Sequence, residues 1–237
     1  MIRLARLALI VSLFAASAFG GEIPREHRDL IAIVNLSRLA TSKFKLNYKY
    51  EEARAAMKIR RDLGHRYRKV TVFENGEATH ANFLAALASS EADPAVRAID
   101  VIVYLHGHPG AIGFVDTGFY GTDRLRDEIL ALPSPNGASP TKLRALYSDA
   151  CYGASHMADW LRAGFRVASG SDGVDGNWSL DLHRFMMAWR RGKTFGAAIG
   201  KANRVWVTPI MDWIAGGNSH KETDGDVAFT IDRDLTP

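Results

Sequence analysis

Five short apolar runs, separated by helical patterns, constrain this 237-residue chain more than any other feature. Leu30–Asn35 (LIAIVN), Lys69–Glu74 (KVTVFE), Ile99–Leu105 (IDVIVYL), Leu143–Ser148 (LRALYS) and Phe165–Ser169 (FRVAS) read as strands. Helical patterns cover Tyr50–Arg66, Thr79–Ser90, Asp123–Leu132, His156–Ala163 and residues 194–205. Leu182, Phe185, Met186 and Trp189 recur at i, i+3, i+4 and i+7, one face of a further helix packed on a core. Val227–Ile231 reads as a last edge strand. Strand and helix in repetition predict an α/β fold, a three-layer sandwich with a mostly parallel central sheet. In such sheets, sites form in loops leaving the carboxyl ends of the strands. No internal repeat or linker divides the chain, so residues 21–237 are expected to form a single domain.

The first twenty residues read differently. Arg3 and Arg6 precede an apolar run, Leu7–Phe14 (LALIVSLF), and small residues follow from Ala15 to Gly21. Basic, apolar and small zones in that order predict a secretory signal peptide over residues 1–20 and a secreted or periplasmic protein. No cysteine stands near the cleavage point, and no later stretch reaches the ~18 apolar residues of a membrane span. No membrane anchor is therefore expected after cleavage. The chain carries 30 basic and 26 acidic residues, and losing Arg3 and Arg6 narrows that margin. So small an excess gives no case for nucleic acid as a partner. Neither a Walker loop nor G-x-G-x-x-G is present, and no nucleotide or other cofactor is expected.

Cys151 is the only cysteine, which excludes an intramolecular disulfide and a cysteine-based zinc site. It follows the fourth strand in Asp149-Ala150-Cys151-Tyr152-Gly153, while the third runs into His106-Gly107-His108-Pro109-Gly110. Both segments belong at the carboxyl edge of the sheet. A thiolate is a strong nucleophile, and an imidazole beside it tunes its pKa or protonates a leaving group. The pair fits a Cys/His dyad for acyl transfer.

VIVYLHG and LYSDACYG resemble the caspase-like cysteine peptidases, the clan that includes legumains, metacaspases, gingipains and clostripain. The 45-residue separation of His106 and Cys151 agrees with a histidine about 50 residues upstream in caspases. HGHPGAIGF is especially similar to legumain, and FMMAWRRGKTFGAAIGKAN to a segment of bacterial members. The resemblance spans roughly residues 30–232. It implies an endopeptidase acting on a peptide or protein substrate, with the N–H groups of Gly107 and Cys151 as oxyanion donors. It also favours His106 over His108 as the acting histidine, because Gly107 carries an N–H and Pro109 does not. His108 is left for the pocket rim or a solvated loop.

Strand alternation puts residues 149 and 151 on one side, so Asp149 is expected to line the pocket for the residue before the cleaved bond. In metacaspases and clostripain an Asp there accompanies cleavage after Arg or Lys, and in legumain an acid there accompanies Asn. The expectation is Arg or Lys, through a charge-assisted pair. Asp172 is the expected second wall, with a turn-forming role before Gly173 as its alternative; Asp175 ranks behind it.

Two other readings stay open. Cys151, Asp212 and His220 occur in the nucleophile–acid–base order of an α/β-hydrolase, although Asp149 is large for a nucleophile elbow. A caspase-like binding protein without turnover is the second. Glu222, Asp224 and Asp226 lack the calcium-loop spacing, and His27, His65, His80 and His183 have no metal-site spacing. Trp178, Trp189, Trp206 and Trp213 are expected to pack in the core or pocket walls.

Overall fold

The apolar runs do pair side by side. The computed structural model describes residues 21–38, 45–134, 139–176 and 179–233. The expected signal peptide and Trp178 lie outside the described residues. The strands are β1 (Arg28–Asn35), β2 (Lys69–Glu74), β3 (Ala98–Leu105), β4 (Gly107–His108), β5 (Ala111–Phe114), β6 (Gly118–Gly121), β7 (Leu143–Ser148), β8 (Val167–Ser171) and β9 (Lys221–Gly225). The helices are α1 (Lys45–Leu63), α2 (His80–Ala92), α3 (Thr122–Leu130), α4 (Met157–Arg162), α5 (Leu180–Trp189), α6 (Phe195–Ala202) and α7 (Thr208–Ala215).

A six-stranded sheet runs β2-β1-β3-β7-β8-β9, parallel except for β9, and β4-β5-β6 form a small antiparallel sheet. β1, β3 and β7 are buried along their whole length, which is why their sequences read as continuous apolar runs. Alternate residues face two cores. Leu30, Ala32, Val34, Ile102, Tyr104 and Tyr147 pack with α1, α5 and α6, and Leu182, Phe185, Met186 and Trp189 are buried there as their spacing predicts. Ile31, Ile33, Val101, Val103 and Leu146 pack with α2, α3 and α4 on the other face. The sandwich therefore has the three layers expected. Thr79 and Thr194 cap α2 and α6, accepting from the N–H groups of Asn82 and Ala197.

Some elements differ from expectation. The edge strand is Lys221–Gly225, not Val227–Ile231. KETDG is polar because an edge strand needs only one hydrogen-bonded neighbour, whereas Phe229 and Ile231 are apolar because they plug the core outside any strand. Trp189 is buried, but Trp206 and Trp213 are 78% and 84% exposed, the latter on α7, a helix the apolar pattern did not reveal.

One buried ion pair fastens the amino ends of the strands. Arg144 grips both carboxylate oxygens of Asp100, at 3.1 and 2.6 Å, and donates to the Arg233 carbonyl. The Tyr67 hydroxyl donates to Asp100 Oδ2 and accepts from Trp189 Nε1. Removing one partner of a buried pair strands the other charge, at about 3–5 kcal/mol. Asp100→Asn is expected to lose stability in that range in urea denaturation; a loss under about 1 kcal/mol would show that Arg144 finds another partner.

Candidate active site

β3 and β7 are neighbours, so His106 and Cys151 emerge on the same edge. The backbones then touch. A Cβ placed on Gly107 would lie 1.9 Å from the Cys151 carbonyl oxygen and 2.8 Å from its amide nitrogen, so only glycine fits. Tyr152, next to Cys151, has φ +56°, a left-handed conformation unusual for a tyrosine, and its N–H donates to the Gly173 carbonyl. Gly153 and Gly170 cross without room for a Cβ on either, seating this turn on β8.

Cys151, His106 and Asp149 line one cavity of about 140 Å³, with Leu36, Tyr48, Glu51, Tyr104 and Asp175 among its other walls. His106 is held from several sides. Its Nε2 lies 2.5 Å from the Leu36 carbonyl; a carbonyl only accepts, so Nε2 carries the proton and Nδ1 the lone pair of the neutral ring. The Leu36 loop is fixed in turn by Glu52, which accepts from the Leu36 and Ser37 N–H groups and the Ser37 hydroxyl. The Tyr48 ring packs edge-on against the imidazole at 5.4 Å, and the His106 carbonyl accepts from Gly113 N–H in the small sheet.

Both groups are shifted toward their neutral forms. Burial pushes the Cys151 thiol up, against an N–H bond from Asp175 at 3.4 Å that pulls it down. Burial likewise pushes the His106 imidazole down, against its bond to Leu36.

Asp149 lies in the cavity wall as expected, but it already holds a cation. Lys221 Nζ, fully buried, sits 2.5 Å from Asp149 and 3.0 Å from Asp181 and also bonds Asp175. The three carboxylates lie within 4.8 Å of one another, the kind of grouping that holds a metal ion, and here the ammonium is what they share. Burial, then repulsion from neighbouring acids, pushes the Asp149 carboxyl well above the usual range. The same causes bring Asp181 to about 6. Asp149 Oδ2 and the Tyr104 hydroxyl are buried without a hydrogen-bond partner among the described residues.

The remaining expected residues fall outside the cavity. Asp172 is exposed and accepts from Asn218 at 3.4 Å; Asp175, one loop turn further, takes the place expected for it. His108 is exposed, with its ring near Phe119 and its carbonyl accepting from His156. Asp212 accepts from Ser219 and His220 is exposed; neither lines the cavity with Cys151, so the hydrolase order gains no geometry. Sequence reasoning missed Tyr48, Glu51, Tyr104 and Lys221. Only Tyr104 left a signal, two residues before His106 on the same strand face.

No family model matches the chain, and no curated protein matches it. Solved structures do. Caspase-1 from Spodoptera frugiperda superposes with a TM-score of 0.59 at 14% identity, over 93% of this chain and 96% of that one. The fold is caspase-like. The structure of pro-sf-caspase-1 gives a TM-score of 0.55 at 12% identity, over 88% of this chain and 91% of that one. The Drosophila initiator caspase Dronc gives 0.52 at 8% identity, over 93% and 87%.

Two outcomes test this geometry. In the substrate-free protein, alkylation of Cys151 by iodoacetamide should climb only above the free-thiol pKa of ~8.5; a rate already maximal at pH 6–7 would contradict a neutral pair. Gly107→Ala must push the two strand ends apart and should cost about 1–3 kcal/mol in thermal or chemical denaturation, as overpacking does; wild-type stability would contradict the contact.

Proposed function

We propose that the protein is an exported cysteine endopeptidase, with Cys151 as nucleophile and His106 as acid–base partner, cleaving after Arg or Lys. The observation that carries this reading is the shared cavity of Cys151 and His106 at the carboxyl edge of a caspase-like sheet. The basic, apolar and small zones of residues 1–20 support export. Likeness of HGHPGAIGF and DACYG to legumain and metacaspase motifs supports peptidase chemistry.

With Nε2 committed to Leu36, Nδ1 of His106 is the nitrogen left to exchange a proton. It takes the thiol proton as the Cys151 sulfur bonds to the scissile carbonyl carbon. The N–H groups of Gly107 and Cys151 hold the oxyanion. His106 then returns the proton to the amide nitrogen, the C–N bond breaks and the amine leaves. Water, deprotonated by the same imidazole, hydrolyses the thioester and regenerates the thiol.

The charge of the cavity supports a basic side chain ahead of the cleaved bond. Glu51, Asp149 and Asp175 line it and Asp181 stands behind, while Lys221 supplies one ammonium to three of these acids. Carboxyls raised by burial and by mutual repulsion gain from a further cation, and a guanidinium offers the donors that Asp149 Oδ2 and Tyr104 lack. Lys221 is also the strongest opposing feature, since it already satisfies Asp149 Oδ1. Because Asp181 is neutralised as pH falls through about 6, affinity for basic peptides should weaken below that value.

A fluorogenic peptide panel with Arg, Lys, Asn or Asp before the reporter, run under reducing conditions, tests the reading. Wild type should cleave the Arg and Lys peptides, and Cys151→Ala should lose at least about 10³-fold. Cleavage after Asp alone would overturn the role of Asp149, and no cleavage of any peptide would overturn the peptidase reading.

A further inference from the structure

The buried lysine behind the cavity touches neither the nucleophile nor the histidine, yet it is tied to both the loop and the strand that frame them. Lys221 opens β9 and lies opposite Ser171 in the β8–β9 register. Asn203 fixes its backbone in both directions: Asn203 Oδ1 accepts from Lys221 N–H at 2.8 Å, and Asn203 Nδ2 donates to its carbonyl at 2.9 Å. The side chain passes over the Tyr147 ring, 5.4 Å from its centroid, to a site without solvent contact. There Nζ donates to Ser171 Oγ at 3.0 Å and to the carboxylate of Asp175. Ser171 Oγ in turn donates to Asp175 Oδ2 at 2.8 Å. Asp175 is therefore held by its side chain from two directions, and its own N–H is the group that donates to Cys151 Sγ.

We propose that Lys221 is a positioning residue: it clamps the Asp175 carboxylate so that the Asp175 backbone N–H stays aimed at the Cys151 sulfur. The clamp holds the Asp175 side chain while the bond to sulfur uses its backbone N–H, so turning the residue away from the sulfur strains the bonds to Lys221 and Ser171. An N–H donor stabilises the thiolate more than the thiol, and lowers the cost of forming the nucleophile. Without the ammonium, Asp149, Asp175 and Asp181 repel one another in a buried site, and Asp175 is the one of the three that lies in a loop between β8 and α5. The Val174 carbonyl stays bonded to Asn218 N–H and Gly176 N–H to Ser219 Oγ, so the displaced side chain turns the Asp175 peptide between these two pins and lengthens its N–H bond to the sulfur.

Groups around the thiol oppose one another, which makes the sign of the effect informative. Asp149 and Asp175 favour the protonated thiol, and Lys221 and the Asp175 N–H favour the thiolate. Tyr48, Glu51, Tyr104 and His106 line the same cavity, and Asp181 shares the lysine. Losing Lys221 removes one favourable charge and, through the loop, one favourable hydrogen bond. If Lys221 served only to hold the fold, its loss would loosen the cavity, admit water to the sulfur and speed its reactions.

The test is the pH profile of Cys151 alkylation by iodoacetamide in the substrate-free full chain, for wild type, Lys221→Met and Ser171→Ala. Ser171→Ala removes one strap of the clamp while leaving every charge in place, so it decides the matter should Lys221→Met fail to fold. Lys221→Met is expected to shift the profile upward by about one pH unit, about tenfold slower alkylation below the wild-type midpoint. Ser171→Ala should shift it the same way by a smaller step, about two- to threefold slower. Alkylation as fast as wild type or faster in both variants, or in Ser171→Ala when it alone folds, would overturn the proposal. A second arm rests on the peptidase reading: with an Arg peptide, Lys221→Met should lose about tenfold in kcat without a rise in KM, because a more acidic cavity still attracts a cation. Unchanged kcat would overturn the positioning role. Should wild type cleave no peptide while the alkylation profiles shift as expected, the peptidase reading fails and the clamp stands.

Discussion

The candidate site depends on two parallel strand ends meeting backbone to backbone. β3 and β7 are adjacent in the sheet, and beyond their last residues the chain must carry His106 and Cys151 apart or together. Gly107 decides for together, since its missing Cβ leaves the space that the Cys151 peptide fills. The rest is built to hold that contact. The small β4-β5-β6 sheet takes up the chain after His106, and the left-handed turn at Tyr152 takes up the chain after Cys151. Glu52, buried on α1, fixes the loop whose carbonyl orients the imidazole. Helix, loop and both sheets thus converge on one peptide-sized contact.

The sheet carries a buried ionic cluster at each end, and the two obey different arithmetic. At the amino end Arg144 and Asp100 match one charge to one, with Tyr67, Trp189, the Ala145 N–H and a backbone carbonyl joined to the pair. Such a cluster offers a ligand no unbalanced charge. At the carboxyl end three carboxylates share one ammonium, and one carboxylate oxygen and a tyrosine hydroxyl have no partner among the described residues. An imbalance of that kind is costly in a folded chain, and here it borders a cavity containing a cysteine. The amino-end cluster secures the sandwich; the carboxyl-end cluster has capacity to spare.

How much of this was legible in the sequence follows from where each residue sits. β1, β3 and β7 read clearly because strands buried on both faces leave continuous apolar runs, whereas β2, buried only at Val72, reads through the alternation of Val70 and Val72; β2 and β7 match their expected limits residue for residue. Cys151, His106 and Asp149 were legible because strand alternation carries through the ends of β3 and β7. Loops erase that periodicity, which is why Asp172 was expected where Asp175 stands. The small sheet went unread although Pro109-Gly110 and Thr117-Gly118 mark its two turns, with Gly110 and Gly118 both at positive φ. Lys221 could not be seen at all. In KETDG it looks like one more charge on a solvated edge, and only the antiparallel register brings it beneath three aspartates.

Under the proposed export, a thiol held toward its neutral form also bears on the problem of a lone cysteine. Thiolates, not thiols, attack disulfides and oxidants, so a low-pKa thiol in an oxidising compartment would be consumed by the chemistry around it. Burial raises the Cys151 pKa and so favours the protonated sulfur; in the proposed mechanism His106, with Nδ1 open, takes that proton once a carbonyl carbon lies beside it. In that proposed mechanism the Asp175 N–H has a narrow task. It must lower the cost of the thiolate enough for attack, yet not so far that the thiolate persists between substrates. One N–H at 3.4 Å from sulfur, set against burial and two nearby carboxylates, is a donor of that intermediate strength.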